Sequence, residues 1–227
     1  MKKILLVIGL IGSLSYAEGN KIEVRGSYDL DFKSKVESHD ISDQFDKGFG
    51  IGAEYRIEVI DGLELGGGLE YQKNEYNGFK NDPSFNGDYY VKDTSGLDSF
   101  PLYLTARYNF KNSSEFIPYV KINLGYSINS GEVTETLNFA NPISVPSIKQ
   151  EEYDFKNGLY YGFGVGITYR SFLIDLSYEM NEFNLEGKYL TASSISSHGI
   201  DYLEYADEKG KIKNQKIKLS IGYQFEF

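Results

Sequence analysis

The amino-acid sequence predicts an all-β protein that folds as an eight-stranded antiparallel up-and-down transmembrane barrel. Three observations carry this prediction. Eight segments alternate apolar residues with polar, charged or small ones, the period of two that marks a strand with one apolar face. The connections between these segments are alternately short and long. No stretch approaches the roughly 18 consecutive apolar residues that a membrane-spanning helix needs.

The last segment, residues 216–227, shows the alternation most clearly. Its odd positions are all apolar or aromatic: Ile217, Leu219, Ile221, Tyr223, Phe225 and Phe227. Its even positions are all charged, polar or small: Lys216, Lys218, Ser220, Gly222, Gln224 and Glu226. We expect this strand to close the barrel by pairing with the first one, because closure removes the unpaired strand edge.

The other seven segments repeat the pattern. Residues 21–32 place Glu23, Arg25 and Asp29 on the face opposite to Ile22 and Val24. Burying so many charges in the core of a soluble protein would cost too much free energy, which favours a barrel with a polar interior. The remaining strands are predicted at residues 48–59, 63–71, 100–110, 118–128, 158–169 and 172–180.

The connections alternate strictly in length. Short turns follow the second, fourth and sixth strands, and Asp61-Gly62 is a tight-hairpin signal. Long segments follow the others, at residues 33–47, 73–99, 129–157 and 182–212. This is the layout of outer-membrane barrels, with short periplasmic turns and four long extracellular loops. The strands have the length needed to cross an apolar band of about 25 Å at a tilt of about 40°.

The first 17 residues are predicted to be a cleaved signal peptide. Lys2 and Lys3 form a positive start, a short apolar run follows, and Ser15-Tyr16-Ala17 offers small residues at a cleavage site. We expect residues 18–227 to form one barrel domain. The alternative, in which the apolar run is a buried first strand, is less consistent with this order of residues.

Composition excludes several classes of function. The chain has no cysteine, so disulfides and thiolate metal sites are excluded. Its net charge is −10, or −12 without Lys2 and Lys3, which argues against nucleic-acid binding. Mean hydropathy is −0.39, although 20 tyrosines and 15 phenylalanines are present. Mild polarity with many aromatics suits a barrel in which half of each strand faces lipid.

These features resemble the small eight-stranded outer-membrane proteins of Gram-negative bacteria, the group of the OmpA transmembrane domain, OmpX and the opacity proteins. The resemblance rests on the signal peptide, the eight amphipathic strands and the final aromatic signature. It implies export to the periplasm, insertion in the outer membrane as a monomer, and contact with outer-membrane lipid and lipopolysaccharide. It also implies that the barrel-assembly machinery recognises the last strand through Tyr223, Phe225 and Phe227.

The polar face of the strands predicts a lumen filled with charged side chains, because eight strands enclose a space just wide enough for them. We expect opposite charges there to pair, since an unpaired charge in a narrow lumen is costly. The pairs form either a permanent plug or a gated narrow conduit in which some pairs exchange partners. The predicted lumen charge network comprises Glu23, Arg25, Asp29, Asp31, Glu54, Arg56, Glu58, Glu64, Glu70, Arg107, Lys121, Asp175, Glu179, Lys216 and Lys218. Contact between the last two lysines and Asp29 or Asp31 is expected.

The four long loops are the main candidates for function. Their net charges are −1, −2, −3 and −3, so most of the negative charge lies in the exposed cap. They also carry tyrosines, which are good contact residues but equally suit packing of strand extensions above the membrane. The sequence therefore predicts a structural, adhesion-like role in which a rigid barrel presents loops to host, matrix or neighbouring cells. A narrow pore for ions or small solutes is the alternative.

An enzymatic role is the weakest interpretation. His39 and His198 are the two histidines, both in predicted long loops, and Ser196-Ser197-His198 lies in a Ser/Gly-rich run that reads as a loop tip. A lipid-modifying enzyme would remain possible only through these residues. The glycines of residues 162–166 lie inside a strand and open no helix, so they do not form a phosphate-binding loop. We predict no catalytic residues, no cofactor and no metal site.

Overall fold

A computed structural model describes residues 19–36, 39–40, 47–75, 89–94, 96–137, 149–196 and 199–227. The predicted signal peptide, residues 1–17, lies outside these ranges. The strands are β1 (Asn20–Val36), β2 (His39–Asp40), β3 (Phe49–Ile60), β4 (Leu63–Asn74), β5 (Tyr89–Thr94), β6 (Leu97–Asn109), β7 (Phe116–Ser130), β8 (Glu132–Leu137), β9 (Lys149–Tyr169), β10 (Phe172–Ser196) and β11 (Gly199–Glu226).

Eight of these strands close into a ring. Around it the order is β1, β3, β4, β6, β7, β9, β10 and β11, with every neighbouring pair antiparallel. The final strand pairs with the first from Lys21↔Glu226 to Val36↔Ile212, as expected. The predicted eight-stranded antiparallel barrel is confirmed, and its closure pairs the backbone of the last strand on both sides.

Burial is reversed relative to a soluble protein. Large apolar side chains on the outside are exposed, for example Leu104 at 73% and Ile221 at 58%. Charged side chains on the inside are buried, for example Arg56 and Glu54 at 1% and 2%. The alternation therefore assigns one face of each strand to an apolar belt around the barrel and the other face to a polar lumen.

One end of the barrel, which we call the turn end, is built from tight connections. Asp61 and Gly62 join β3 to β4, and Gly62 has a φ of 80°. Arg170 and Ser171 join β9 to β10, and Arg170 adopts a φ of 54°. Glycine tolerates this left-handed region without the steric cost that other residues meet, so Gly62 suits the position that the turn requires.

At the other end, the loop end, regular β-structure continues beyond the barrel. β10 and β11 form one hairpin that extends to the pair Ser196↔Gly199, whereas pairing of β11 with β1 stops at Ile212. β9 follows this hairpin, and the short strands β8 and β5 add to its other side. The long connection predicted at residues 182–212 is therefore built from strand extensions, one of the two alternatives for these segments, apart from residues 197 and 198, which lie outside the described part.

The barrel wall also contains a β-bulge in its first strand. Between Asp29 and Asp31 the register against β11 shifts by one residue. Before the shift, odd-numbered residues face the lumen, as Asp29 does at 3% exposure. After it, even-numbered residues do, as Phe32 and Ser34 show at 7% and 0%. A bulge re-aims all the side chains that follow it.

Candidate functional site

The lumen is the most chemically dense part of the molecule. Seven carboxylates and six cationic side chains are buried in the described residues, and the partly exposed Lys21 adds a seventh cation. The buried set comprises Glu23, Asp29, Glu54, Glu64, Glu70, Asp175, Glu179, Arg25, Arg56, Arg107, Lys121, Lys216 and Lys218. All thirteen are residues that the sequence assigned to the lumen charge network. Their near-equal numbers of opposite charges keep the interior close to neutral.

The ion pairs divide into two clusters. The turn-end cluster contains Glu23, Arg25, Glu54, Arg56, Glu64, Arg107, Lys121 and Asp175. The loop-end cluster contains Asp29, Glu70, Glu179, Lys216 and Lys218, and in it hydrogen bonds of Gln72 join the pair of Lys216 and Asp29 to Glu179. Among the described side chains, no ion pair within 4.0 Å joins one cluster to the other. The lumen therefore holds two separate charge networks stacked along the barrel axis.

Arg56 is the centre of the turn-end cluster. Its guanidinium lies 2.6 Å from a Glu23 oxygen and 2.9 Å from a Glu64 oxygen, and it also pairs with Glu54. Gln224 of the last strand accepts a further bond of 3.0 Å. The planar fork of an arginine can serve several acceptors at once, which a lysine ammonium does less well. One side chain of β3 thus connects β1, β4 and β11.

Tyr103 links Arg25 to Glu54 across the lumen. Its hydroxyl accepts a bond of 3.0 Å from Arg25 and donates one of 2.9 Å to Glu54. Arg25 and Glu54 also form an ion pair. The ring has room because Gly68 lies beside it, where an added Cβ would be 2.7 Å from ring atoms of Tyr103. The ring also packs against Tyr160, with the ring centroids 5.4 Å apart.

Arg107 and Lys121 complete the turn-end cluster on the opposite wall. Arg107 lies over the Tyr119 ring at 3.5 Å and donates a bond of 2.5 Å to Thr168. Lys121 pairs with Asp175 at 2.9 Å, and the Tyr119 hydroxyl donates to the same carboxylate at 3.1 Å. A cation above an aromatic face is stabilised by the ring quadrupole, so Tyr119 orients this wall as well as filling it.

The loop-end cluster uses lysines and neutral amides. Lys218 lies between Glu70 and Glu179, at 2.7 Å and 2.6 Å. Lys216 donates bonds of 2.8 Å to both Gln72 and Asn74, and lies 3.6 Å from Asp29. The expected contact of Lys216 with Asp29 is therefore present. Lys218 instead faces carboxylates of β4 and β10, which the sequence alone could not bring near it.

Above the loop-end cluster the lumen becomes neutral and then apolar. Asn181 donates to Asn129 at 3.0 Å and to Ser127 at 3.2 Å. Beyond these amides, Phe155 packs edge-on against Phe183 at 5.8 Å. Further buried apolar residues at this end are Leu97 and Ile212. These four apolar side chains, Leu97, Phe155, Phe183 and Ile212, form what we call the apolar layer.

Two predicted members of the network lie outside the lumen. Asp31 faces outward with its side chain 47% exposed and lies 3.7 Å from Lys33, because the bulge in β1 turns it away from the interior. Glu58 lies at the turn end, where β3 has a register shift before Ile60. Its carboxylate pairs with Lys111 at 2.5 Å and accepts from the Gly62 amide at 2.8 Å. Hydrogen bonds to Asp61 and Glu58 raise the pKa of Lys111.

The sequence interpretation overlooked three tyrosines as parts of the site. Tyr103, Tyr119 and Tyr160 are all buried in the lumen, at 5%, 2% and 1% exposure. The alternation of the sequence could have identified them, because each tyrosine lies in phase with the polar face of its strand rather than with the apolar face. Of the two histidines, His198 lies outside the described residues and the side chain of His39 is also outside the described part.

No site for a divalent metal emerges from the described ranges. Within them, no group of three or more His, Cys, Asp or Glu side chains could hold a metal ion. Over the same ranges, no helix is long and apolar enough to cross a bilayer. The glycines of residues 162–166 lie in β9, next to side chains such as Lys121 and Glu179.

Sequence comparison identifies the family. The model of the outer membrane protein beta-barrel domain matches residues 4–225. The chain belongs to this family. The predicted resemblance to small outer-membrane barrels is thereby confirmed, and the protein lies in the outer membrane of a Gram-negative bacterium. As a member of the outer membrane protein beta-barrel family, it places its turn end in the periplasm and its loop end outside the cell, with the apolar belt against lipid.

Individual relatives of this family member are distant. An uncharacterized protein of Pasteurella multocida (strain Pm70) is 28% identical over 135 residues, 56% of this chain and 50% of that protein. The match thus spans about half the length of that relative.

Three solved structures are similar to the chain. Neisserial surface protein A is 13% identical, covering 92% of this chain and 98% of that one, with a TM-score of 0.46. A major outer membrane protein of Thermus thermophilus is 13% identical, covering 92% and 100%, with a TM-score of 0.48. Ail, the attachment invasion locus protein of Yersinia pestis, is 14% identical, covering 92% and 100%, with a TM-score of 0.42.

Proposed function

We propose that this outer-membrane barrel is a non-enzymatic scaffold that displays β-structure outside the cell for adhesion-type contacts with host, matrix or neighbouring cells. The observation that carries the proposal is the hairpin of β10 and β11. From Asn184 to Ser196 it continues as paired strand beyond Val36↔Ile212, the last pair of β1 with β11. At about 3.3 Å per residue, this is roughly 40 Å of strand. A structure of that length is not needed to fill or close the lumen.

The interior supports the same role. Thirteen buried charged side chains fill the lumen, and the apolar layer lies above them at the outer end. A filled interior gives the barrel a rigid base from which the hairpin projects, which is the usual relation between a scaffold and its binding segments. The four long connections carry −9 in total, so the contacted surface is expected to be neutral or cationic.

The proposal is tested with whole cells that carry the protein. Residues 187–208 are replaced by Asn-Gly, which retains the pair Glu186↔Lys209 next to a two-residue turn. Adhesion to immobilised laminin, immobilised fibronectin and cultured epithelial cells is counted for wild type, the shortened variant and Lys111→Gln. Surface amounts are matched by the shift of the folded barrel on unheated gels.

We expect the shortened variant to lose at least about tenfold in adhesion to one of these three surfaces, as expected when the main contacts of an interface are removed. Lys111→Gln changes a side chain at the periplasmic end and should adhere like wild type. Equal adhesion of wild type, shortened variant and cells without the protein on all three surfaces would overturn the proposal.

A second candidate is a narrow conduit for ions or small solutes. One observation favours it: Ser99, Thr105 and Asn123 each have a buried side-chain oxygen without a hydrogen-bond partner among the described groups, on the neighbouring strands β6 and β7. Such polar groups can line a path for water. In a planar bilayer, conductance that changes with Arg107→Gln or Glu54→Gln would favour the conduit, and silence would leave the scaffold as the better function.

Three further parts of the proposal concern biogenesis. We propose that residues 1–17 are removed on export, which mass spectrometry of the protein from outer membranes would test. We also propose that Tyr223, Phe225 and Phe227 bind the barrel-assembly machinery. These three rings are exposed on the outside of β11 and its end, Phe227 at 70%. Phe227→Ala should then lower the amount of folded barrel in cells while leaving refolding in detergent unchanged.

We also propose that the barrel is a monomer. Light scattering of the purified protein in detergent should then give the mass of one chain.

A further inference from the structure

The loop-end cluster of the lumen carries one negative charge more than it carries positive charges. Among the described residues it holds three carboxylates and two ammonium groups, those of Asp29, Glu70, Glu179, Lys216 and Lys218. All five side chains are buried. A buried charge without a counter-charge is costly in a narrow lumen, so one further positive charge is expected at this height of the barrel.

The cations of the turn-end cluster do not supply this charge. Arg25 interacts with Glu70, but it is already paired with three carboxylates of its own cluster. Lys21, which makes the opposite charges of the whole lumen equal in number, lies at the periplasmic end and pairs there with Glu64 at 2.7 Å. The surplus negative charge therefore stays with the loop-end cluster.

One carboxylate oxygen of this cluster has a weak set of partners. The Oε2 atom of Glu179 lies 2.6 Å from the Lys218 ammonium and accepts a bond of 3.1 Å from Gln72. The Oε1 atom accepts a long bond of 3.4 Å from Ser177. The Tyr160 hydroxyl also interacts with the Glu179 carboxylate, without forming a hydrogen bond of good geometry. Oε1 can therefore accept a further ligand, because each carboxylate oxygen has two lone pairs.

Two further oxygen atoms lie in the same row of the wall as Glu179. Thr105 Oγ1 and Asn123 Oδ1 are buried and have no hydrogen-bond partner among the described groups. Thr105 lies directly opposite Asn123, Asn123 opposite Gly162, and Gly162 opposite Glu179. The row thus crosses four neighbouring strands, β6, β7, β9 and β10. An amide oxygen is an acceptor only, so Asn123 needs a donor or a cation.

Gly162 leaves space in the middle of this row. A Cβ atom added there would meet nothing closer than the Cγ atom of Glu179, at 3.2 Å. The other two nearest atoms, at 3.3 Å and 3.8 Å, belong to the backbone of Tyr178 and Glu179. At Gly164, the next inward glycine of β9, an added Cβ would lie 2.9 Å from Lys121 of β7. The space at Gly162 therefore lies between the oxygens of Asn123 and Glu179.

We propose that this row binds a monovalent cation, Na⁺ or K⁺, beside Gly162. Hard cations take carboxylate, carbonyl and hydroxyl oxygens as ligands, which Glu179, Asn123 and Thr105 supply. One such cation neutralises the surplus charge of the loop-end cluster and gives both unpartnered oxygens a ligand. A water molecule would satisfy the oxygens but would leave the charge, and a divalent cation would reverse its sign. The inference rests on neither candidate function, because a cation can bind in a lumen that does not conduct.

The test compares the stability of the purified full-length protein in three salts. Urea unfolding in lipid vesicles is followed by gel shift in NaCl, KCl or N-methyl-D-glucamine chloride, each at about 0.15 M so that screening is equal. The organic cation is too large for the space at a glycine. Gly162→Ala fills this space and retains every charge, and Glu179→Gln removes the surplus charge. The matched control is Gly67→Ala on the outer face of β4, where the added Cβ would be 3.5 Å from the nearest atom.

We expect Na⁺ or K⁺ to lower the unfolding equilibrium constant of wild type about tenfold relative to the organic cation, as mass action gives for a ligand at about ten times its dissociation constant. Gly162→Ala and Glu179→Gln should lose this difference, whereas Gly67→Ala should retain it. Cations attracted to the acidic connections outside the cell would act equally on all four proteins, because these connections are unchanged.

Direct binding is measured on the folded proteins in detergent by the line width of the ²³Na NMR signal, with KCl as competitor. We expect wild type and Gly67→Ala to broaden the signal more than Gly162→Ala and Glu179→Gln do. If Gly162→Ala does not fold, the comparison of wild type with Glu179→Gln decides. Equal stability of wild type in all three salts would overturn the inference and assign the unpartnered oxygens to water. An undiminished cation effect in Gly162→Ala would also overturn it, because the cation would then bind elsewhere.

Discussion

The two charge clusters of the lumen neutralise their buried carboxylates with different cationic side chains. In the turn-end cluster three of the four cations are arginines, and Arg25 and Arg56 each contact three carboxylates. In the loop-end cluster both cations are lysines, and Lys216 is held largely by the neutral amides Gln72 and Asn74. Arginine forks can join many strands into one network, while lysines act as point charges that each neutralise a local group.

This difference has a structural consequence. The turn-end cluster connects side chains from β1, β3, β4, β6, β7 and β10 by ion pairs. The loop-end cluster connects fewer groups and gives way to amides and then to the apolar layer. We therefore expect the periplasmic half of the barrel to unfold as one cooperative unit, and substitutions there to have larger effects than equivalent ones in the outer half.

The largest effect is expected for Arg56→Met. It removes the ion pairs of Arg56 with Glu23, Glu54 and Glu64 at once, while Arg25, Arg107 and Lys21 still contact these carboxylates. Removing one partner of a buried ion pair costs about 3–5 kcal/mol. We expect a loss at the upper end of that range. The measurement is urea unfolding in lipid vesicles, followed by gel shift because the chain has no tryptophan. A loss below about 1 kcal/mol would show that Arg56 is not the centre of the cluster.

A smaller effect is expected for Lys218→Met in the loop-end cluster. It leaves Glu70 and Glu179 without their shared cation, but Ser27 still donates to Glu70 at 2.8 Å and Gln72 to Glu179 at 3.1 Å. We expect destabilisation of about 3 kcal/mol, at the lower end of the range for a broken buried pair. Unfolding is measured as for Arg56→Met. A cost that exceeds that of Arg56→Met would reverse the ranking of the two clusters.

Replacing Arg56 by lysine separates the contribution of its positive charge to stability from the contribution of its guanidinium geometry. Arg56→Lys keeps the positive charge but loses the fork that serves Glu23 and Glu64 together. We expect a loss of about 2 kcal/mol, the order of one charge-assisted hydrogen bond. The matched control is Lys218→Arg, which adds volume to a site that holds a point charge. If Arg56→Lys were as stable as wild type, the positive charge of Arg56 alone would account for its contribution to the stability of the turn-end cluster.

Much of this arrangement could be predicted from the sequence, and the remainder has identifiable causes. The period of two decides which face of a strand a residue occupies, so Glu23, Arg56 and Lys218 were assigned to the lumen without a structure. It does not decide which residues meet across the lumen, because partners such as Lys218 and Glu70 depend on the stagger of the whole ring. Their contact is therefore visible only in the folded barrel.

Two residues were wrongly assigned to the lumen, each for a physical reason. Asp31 was assigned to the lumen because the alternation of residues 21–32 continues in phase through the bulge, and the extra residue is visible only in the register against β11. Glu58 was assigned to the lumen for the same reason, and the register shift of β3 before Ile60 places it at the turn end beside Lys111.

Tyr103→Phe is the mildest change, and it tests how the turn-end cluster is held together at its centre. The substitution keeps the ring against Tyr160 and removes only the hydroxyl between Arg25 and Glu54. Because Arg25 and Glu54 still pair with each other, neither is left isolated, and we expect a loss of about 1 kcal/mol in urea unfolding. Tyr108→Phe, on the exposed belt, is the control and should change stability less. A loss near that of Arg56→Met would mean that the tyrosine hydroxyl, rather than the arginine fork, organises the cluster. A loss no larger than that of the control would mean that the ion pair of Arg25 and Glu54 holds this part of the lumen without help from the ring.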